Sequence, residues 1–110
     1  QNEYMVRLAE EMGFLMWEEI PVWQNISLND LDVRRRGETM LNEMISRDKN
    51  RCGIIIWSVS NETFPSAKGR LEALVCFVNT VRNHDNTRLV SSALQWCQGS
   101  KGRRQIRDAS

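Results

Sequence analysis

Residues 53–59 form the run Gly-Ile-Ile-Ile-Trp-Ser-Val, which limits the possible folds of this chain more than any other segment. The run is apolar up to Ser58 and rich in isoleucine, and turn-forming polar residues bound it on both sides. Such a pattern predicts a β-strand that is covered on both faces. Strands of this kind belong to parallel sheets flanked by helices, so we expect an α/β fold.

Three segments with a helical spacing of apolar residues surround this strand. The first covers residues 2–12 and is expected to stop at Gly13. The second begins near Gly37 and ends at residues 48–50, and the third begins at Ser66, a natural N-cap, and ends at residues 83–86. Their apolar stripes are Met5, Leu8 and Met12; Met40, Leu41, Met44 and Ile45; and Leu71, Leu74, Val75, Val78 and Val81.

Two shorter apolar runs predict further strands at residues 14–17 and 88–94, with residues 24–35 as a loop. Strands that alternate with helices predict βαβ units with right-handed crossovers. An open sheet of three parallel strands leaves two edges unpaired, whereas a (β/α)8 barrel, typically about 250 residues long, removes its edges by closure. We therefore expect residues 1–110 to be one partial domain, part of a (β/α)8 TIM barrel.

The composition excludes several classes of protein. The chain is 41% hydrophobic and 26% charged with a formal net charge of +1, which argues against disorder and against a dedicated nucleic-acid binder. We interpret the basic residues Lys101, Arg103, Arg104 and Arg107 as a solvated loop. No apolar run approaches the roughly 20 residues of a membrane span. Residue 1 is Gln, so we expect the natural N-terminus upstream, which leaves the localisation undetermined.

The cysteines and the histidine predict neither a metal nor a cofactor. Cys52, Cys76 and Cys97 are odd in number and widely spaced, which favours buried or semi-buried free thiols over a disulfide framework or a zinc site. His84 lies in a polar run and is expected in a surface loop. There is also no glycine-rich phosphate loop, no HExxH and no GxSxG.

Acidic side chains are expected where two of the strands end. Glu18 and Glu19 follow the first predicted strand, and Asn61 and Glu62 follow the second. In parallel α/β proteins the active site lies at the carboxyl ends of the strands. A solvated loop position remains open for Glu18. It is less apt for Glu62, because that residue follows a buried strand and Ser66 already supplies a helix cap.

A glutamate at the end of a buried strand can act as a general acid when apolar walls raise its pKa. Trp23 and Trp57 are the aromatic residues placed to form such walls, and both offer flat surfaces for a ligand ring. Trp23 lies in a loop beyond Pro21, where no packing role is required of it, whereas Trp17 is expected to pack in the core.

Four segments together resemble one known family. They are residues 10–21 (EEMGFLMWEEIP), residues 47–50 (RDKN), residues 54–62 (IIIWSVSNE) and residues 85–91 (DNTRLVS). Their sequences and spacing resemble the barrel domain of family 2 glycoside hydrolases of the β-glucuronidase and β-galactosidase kind. The resemblance runs over about residues 3–94 and identifies the strands as roughly the third to the fifth of the barrel. Residues 95–110 match poorly and are interpreted as a loop.

The resemblance implies a retaining hydrolase that cleaves terminal β-glycosidic bonds of a carbohydrate substrate. It makes Glu62 the catalytic acid/base, Asn61 the residue that binds the sugar 2-hydroxyl, and Glu19 an acid in the wall of the sugar pocket. Trp23 joins them as a loop aromatic that a sugar ring can stack on. The family's nucleophile is a glutamate on the seventh strand, which has no counterpart here, so these residues alone are expected to be inactive.

Two departures from the family pattern bear on specificity. Ser60 stands where many members have glycine, and residues 20–35 contain no histidine. The second departure removes the Glu-x-His metal motif of some β-galactosidases and favours the β-glucuronidase-like branch. A β-mannosidase or another retaining barrel glycosidase stays open as an alternative, as does a non-catalytic carbohydrate-binding barrel. Formation of a homo-oligomer is left open as well.

Overall fold

Helices and strands alternate along the whole described part of the chain. The structure is a computed structural model that describes residues 1–24 and 26–94. The elements are α1 (Glu3–Glu11), β1 (Met16–Glu19), α2 (Leu31–Asp48), β2 (Ile54–Ser58), α3 (Arg70–His84) and β3 (Leu89–Ser91). The α/β prediction is therefore confirmed. The loop expected at residues 95–110 lies outside the described residues.

The three described strands form one parallel sheet in the order β1-β2-β3. In this register Glu19 lies opposite Ser58, and Ser58 lies opposite Ser91. Since β2 is the central strand, residues just beyond its carboxyl end have a neighbouring strand on each side. The sheet thus provides the edge at which the sequence analysis expects the acids.

One face of the sheet is covered and the other is open. Trp57 and Phe77 are fully buried in the core where α2 and α3 pack. Trp17, Ile56 and Leu89 lie in one row across the three strands, and Trp17 is 49% and Leu89 68% exposed. Ile55 is also 41% exposed, so the described residues do not cover β2 on both faces. Apolar side chains of α2 and α3 pack in the core on one face of the sheet. On the other face, no described helix or strand covers the row of Trp17, Ile56 and Leu89.

Helix α2 begins at Leu31, six residues before the predicted start near Gly37. Asp30 is its N-cap, with a side-chain oxygen that accepts a hydrogen bond from the Asp32 N–H at 2.8 Å. The first turns contain three consecutive arginines at residues 34–36 and few apolar residues. Apolar spacing in the sequence therefore did not predict a helix there. The predicted end at residues 48–50 is confirmed.

Helix α3 begins at Arg70 and not at Ser66, so the predicted serine N-cap is wrong. Gly69 caps this helix with φ at +76°, a backbone conformation that glycine adopts without strain. The predicted stripe is confirmed in part, because Val81 is buried and Leu74 and Val78 pack partly buried against the core, but the other fully buried apolar residues of α3 are Ala73 and Phe77. Two residues of the predicted stripe, Leu71 and Val75, are exposed. Aromatic size decided the face, because Phe77 fills the space against Gly37 of α2.

The other boundaries agree with the predictions to different degrees. Strand β3 covers only Leu89–Ser91 of the expected residues 88–94. Helix α1 ends at Glu11 ahead of Gly13, whose φ is +80°. Strand β1 begins two residues after the expected start and contains Glu18 and Glu19, which the sequence analysis had placed beyond its end. Among the described residues, no helix is long and apolar enough to cross a membrane.

Candidate active site

The predicted site residues lie at one edge of the sheet. Glu19 is the last residue of β1, and Asn61 and Glu62 follow the end of β2 by three and four residues. Trp23 forms an isolated parallel bridge with Asn61, so the loop after β1 runs beside the segment after β2. Parallel strands bring their carboxyl ends to one edge, and all four predicted residues gather there as expected.

Backbone hydrogen bonds continue beyond the strands and hold the Asn61-Glu62 segment from both sides. The Asn61 N–H donates to the Val22 carbonyl at 2.8 Å, on the β1 side. The Glu62 N–H donates to the Ala93 carbonyl at 3.0 Å, on the β3 side. The peptide groups of the pair are therefore anchored to both neighbouring segments.

Glu62 itself is exposed and has an unusual backbone conformation. Its φ is +46°, in the left-handed region that residues with a side chain rarely adopt. Such a conformation costs about 1–3 kcal/mol and persists only where the surroundings determine it. The residue is exposed to solvent at the edge of the sheet.

Glu19 is held by a hydrogen bond within the sheet. The buried Ser58 hydroxyl donates to Glu19 Oε2 at 2.5 Å, between residues that are opposite each other in β1 and β2. Glu19 is half-buried, and Trp23 nearby along the chain is 54% exposed. The edge thus combines an oriented carboxylate, an amide and an accessible aromatic ring, which are groups that bind sugars through hydroxyls and apolar faces.

Trp57 does not belong to this edge, and its expected role as a wall beside Glu62 is wrong. Its side chain is fully buried, and its Nε1–H donates to Asp85 Oδ2 at 2.9 Å. The Arg88 guanidinium lies 5.5 Å from the centre of its ring. Although burial opposes it, hydrogen bonds from Thr87, Trp57 and Arg88 hold the pKa of Asp85 well below its usual range. Trp57 therefore anchors β2 to the start of β3.

A buried ionic cluster joins Glu18 of β1 to the end of α2, and the sequence did not predict that these residues lie together. Glu18 and Asp48 are both fully buried, and Arg47 Nη2 lies 3.4 Å from Glu18 Oε1. Burial, and then the negative charge of Asp48, raise the pKa of Glu18 to about 7. Burial opposes the shift of Asp48, whose pKa is held low by hydrogen bonds from Arg47 and Arg51. Alternation along β1 offered the clue, since adjacent Glu18 and Glu19 must face opposite sides of the sheet.

The thiols and the histidine take no part in the edge. Cys52 is exposed and Cys76 is half-buried, and both are free, so the expectation of burial fails for Cys52. Cys97 lies outside the described residues. His84 is exposed as expected, but it is the last residue of α3 and not a loop residue. Within residues 1–24 and 26–94, no three His, Cys, Asp or Glu side chains lie close enough to hold a metal ion.

Parallel strands alternating with helices, together with polar residues gathered at the carboxyl edge, define an α/β domain of the (β/α)8-barrel class. The family model for the TIM barrel domain of family 2 glycosyl hydrolases matches residues 3–103. The chain therefore belongs to that family, within its barrel domain. The match inferred from the motifs ends near residue 94, and the family model continues nine residues further.

Individual relatives agree with this assignment. A β-galactosidase of Thermoanaerobacterium thermosulfurigenes is 39% identical over 59 residues, which are 54% of this chain and 8% of that protein. A β-glucuronidase of Streptococcus agalactiae is 33% identical over 76 residues, covering 56% of this chain and 13% of the relative. The apo structure of Bacteroides uniformis β-glucuronidase 3 superposes with a TM-score of 0.75 at 27% identity, over 88% of this chain and 13% of that one. The chain thus spans about a tenth of the length of these relatives.

Proposed function

We propose that the protein containing this chain is a retaining glycoside hydrolase that removes terminal β-linked sugars, with Glu62 as the acid/base. The observation that carries the proposal is the place of Glu62, an exposed carboxyl group on a fixed and strained backbone beyond the central strand. Strain of this kind concentrates at functional sites. The family membership supports the reaction class.

In the proposed mechanism Glu62 serves twice. It first donates its proton to the oxygen of the leaving group while a second carboxylate, outside these 110 residues, attacks the anomeric carbon. It then accepts a proton from the water that releases the sugar from the resulting glycosyl-enzyme. Retaining enzymes hold the two carboxyl groups about 5–5.5 Å apart so that the attacking oxygen reaches the anomeric carbon directly.

The other edge residues are proposed to bind and orient the sugar. Asn61 has its backbone fixed by Val22 and its side chain half-buried at the edge, which suits a hydrogen bond to the sugar 2-hydroxyl. Glu19, oriented by Ser58, is proposed to accept hydrogen bonds from other sugar hydroxyls. The exposed ring of Trp23 offers a surface on which a sugar or the leaving group can stack.

The relatives include both β-glucuronidases and β-galactosidases. We favour a β-glucuronidase-like activity, because residues 20–35 lack the histidine of the metal motif that the resemblance associates with some β-galactosidases. A β-mannosidase is the next candidate. A non-catalytic carbohydrate-binding barrel is the alternative from another functional class, and it predicts no turnover of any β-glycoside.

The acid/base role is tested with Glu62→Ala in the full-length protein. Hydrolysis of glycosides with alkoxide leaving groups should fall by about 10²–10⁴-fold, the usual contribution of general acid–base catalysis. Aryl glycosides with acidic phenols need no proton, so they should still form the glycosyl-enzyme and then stall. Azide needs no general base, and adding it should restore turnover and give a β-glycosyl azide.

Glu43→Ala serves as the matched control, because Glu43 is an exposed glutamate of α2 far along the chain from the edge. It should leave both substrates and the azide response unchanged. Equal slowing of both substrate types by Glu62→Ala, without azide rescue, would show that Glu62 is not the acid/base. Absence of turnover in the unmodified protein on all β-glycosides would favour the binding barrel instead.

A further inference from the structure

We propose that two polar pairs, Ser60 with Ser92 and Thr63 with Arg70, are positioning residues that hold the Glu62 carboxyl group in its productive direction. We call these two pairs the Glu62 clamp. The proposal rests on the acid/base role proposed for Glu62. It gives Ser60 a role and adds Thr63, Arg70 and Ser92, which neither the motifs nor the family assignment single out.

The first pair ties the residue two positions before Glu62 to the segment after β3. Ser60 is fully buried, and its Oγ lies 2.6 Å from Ser92 Oγ. The backbone reinforces this link, because the Ala93 N–H donates to the Ser60 carbonyl at 2.9 Å. Ser60 is shielded from water on its side of the pair, so the bond restrains both segments more firmly than a fully exposed pair can.

The second pair ties the residue after Glu62 to helix α3. Thr63 is fully buried, and its Oγ1 accepts a hydrogen bond from Arg70 Nε at 2.9 Å. Arg70 is the first residue of α3 and is only 7% exposed. A cation is unfavourable both at a helix N-terminus and in the interior, so its hydrogen bonds must offset that cost. The bond to Thr63 is one of the interactions of this guanidinium, and it ties the residue after Glu62 to α3.

The two pairs bracket a backbone that would not choose its conformation alone. Glu62 has φ of +46°, and the clamp residues lie two positions before and one position after it. Loss of either pair lets the Glu62 backbone relax toward the common negative φ region, which swings its carboxyl group away. A displacement of about 1 Å at a reacting group can cost about 10²-fold in rate. The clamp is therefore proposed to keep the Glu62 carboxyl group where it can donate its proton to the leaving oxygen.

The test compares Thr63→Val with Thr63→Ser in the full-length protein. Valine keeps the branched shape and removes the hydroxyl, whereas serine keeps the hydroxyl that Arg70 bonds. The measured quantity is kcat/KM for an alkyl β-glycoside and for an aryl β-glycoside with an acidic phenol. Thr63→Val should lower kcat/KM on the alkyl substrate by on the order of 10- to 100-fold and on the aryl substrate far less. Thr63→Ser should stay near the unmodified protein on both.

Two further variants guard against a general loss of folding. Ser92→Ala removes one hydroxyl of the other pair at a half-buried position. Like Thr63→Val, it should lower the ratio of kcat/KM on the alkyl substrate to kcat/KM on the aryl substrate. Thr80→Val is the matched control, because the Thr80 hydroxyl bonds the Cys76 carbonyl within α3, away from the edge. That control should leave the ratio unchanged.

The outcomes separate this proposal from the proposed function. A purely structural role predicts equal loss on both substrates, and that result for Thr63→Val and Ser92→Ala overturns the clamp. An unchanged ratio in both variants overturns it too, provided that Glu62→Ala does change the ratio. If Glu62→Ala leaves the ratio unchanged, the acid/base role fails and the clamp proposal fails with it. Adding Thr63→Val to Glu62→Ala should shift the ratio no further, since the group being positioned is gone.

Discussion

At the scale of single residues, the adjacent glutamates of β1 show how side-chain direction decides chemistry. Glu19 points to the same side of the sheet as Ser58 and accepts a hydrogen bond from the Ser58 hydroxyl. It is half-buried at the edge. Glu18 points to the opposite side, where burial and Asp48 raise its pKa to about 7. Residues next to each other in a strand always separate in this way. Of the two, only Glu19 lies at the edge that we propose as the sugar site.

Asn61 supports a prediction at the same scale. If its side chain holds the sugar 2-hydroxyl more tightly in the transition state, Asn61→Ala in the full-length protein should lower kcat and kcat/KM together. Both parameters should fall by about 10-fold or more. A hydrogen bond to a charged group contributes about 1.5–3 kcal/mol, and the transition state develops such a charge.

A 2-deoxy glycoside provides the comparison for Asn61, since it lacks the partner group. On that substrate Asn61→Ala should have little effect, because the hydrogen bond is absent before the mutation. Measured kcat/KM values for both substrates decide the matter. The same factor of loss on both would mean that Asn61 acts through the backbone of Glu62 and does not bind the sugar.

At the scale of elements, a glycine permits the close contact between α2 and α3. Gly37 is buried in the middle of α2, and a Cβ added there would lie 2.5 Å from Phe77 Cζ. Phe77 is fully buried in the core, so its ring has little room to retreat. Glycine costs helix stability elsewhere, but here it lets the aromatic ring of one helix reach the backbone of the other.

Gly37→Ala should therefore destabilise the full-length protein by about 1–3 kcal/mol through overpacking. The higher helix propensity of alanine opposes this effect on the free energy of unfolding, by about 1 kcal/mol. Urea unfolding followed by circular dichroism measures the balance. Phe77→Leu added to Gly37→Ala should relieve part of the loss, and Ser46→Ala on the exposed side of α2 should change little. A gain in stability for Gly37→Ala contradicts the contact.

At the scale of the whole molecule, the described sheet exposes surfaces that a closed barrel buries. The row of Trp17, Ile56 and Leu89 crosses its open face, and Leu15 is 69% exposed beside it. Met12 and Phe14 add further exposed apolar surface after α1. Surfaces of this kind mark contacts with other structure, or aggregation when those contacts are missing.

Residues 1–110 produced alone should therefore aggregate or unfold without cooperativity. Both outer strands, β1 and β3, have an edge without a described partner, which adds sites for association. Size-exclusion chromatography and urea unfolding by circular dichroism test this. A soluble monomer with one sharp transition would mean that this segment folds independently and that the barrel interpretation of its open face is wrong.

The amino-acid sequence was enough to predict the order of helices and strands, the parallel sheet and the edge where Asn61, Glu62, Glu19 and Trp23 gather. It could do so because apolar periodicity and strand-end acids are local patterns, and parallel pairing brings strand ends together. The motifs also sufficed for the family, which the family model confirms.

The direction of individual side chains and their partners became clear only from the folded chain. Tertiary packing turned Trp57 into the core toward Asp85, chose Phe77 and not Leu71 for the buried face of α3, and started that helix at Arg70. It also joined Ser60 to Ser92 and Thr63 to Arg70 around the strained Glu62. These choices depend on contacts between residues distant in sequence, where ring size and hydrogen-bond geometry outweigh local periodicity.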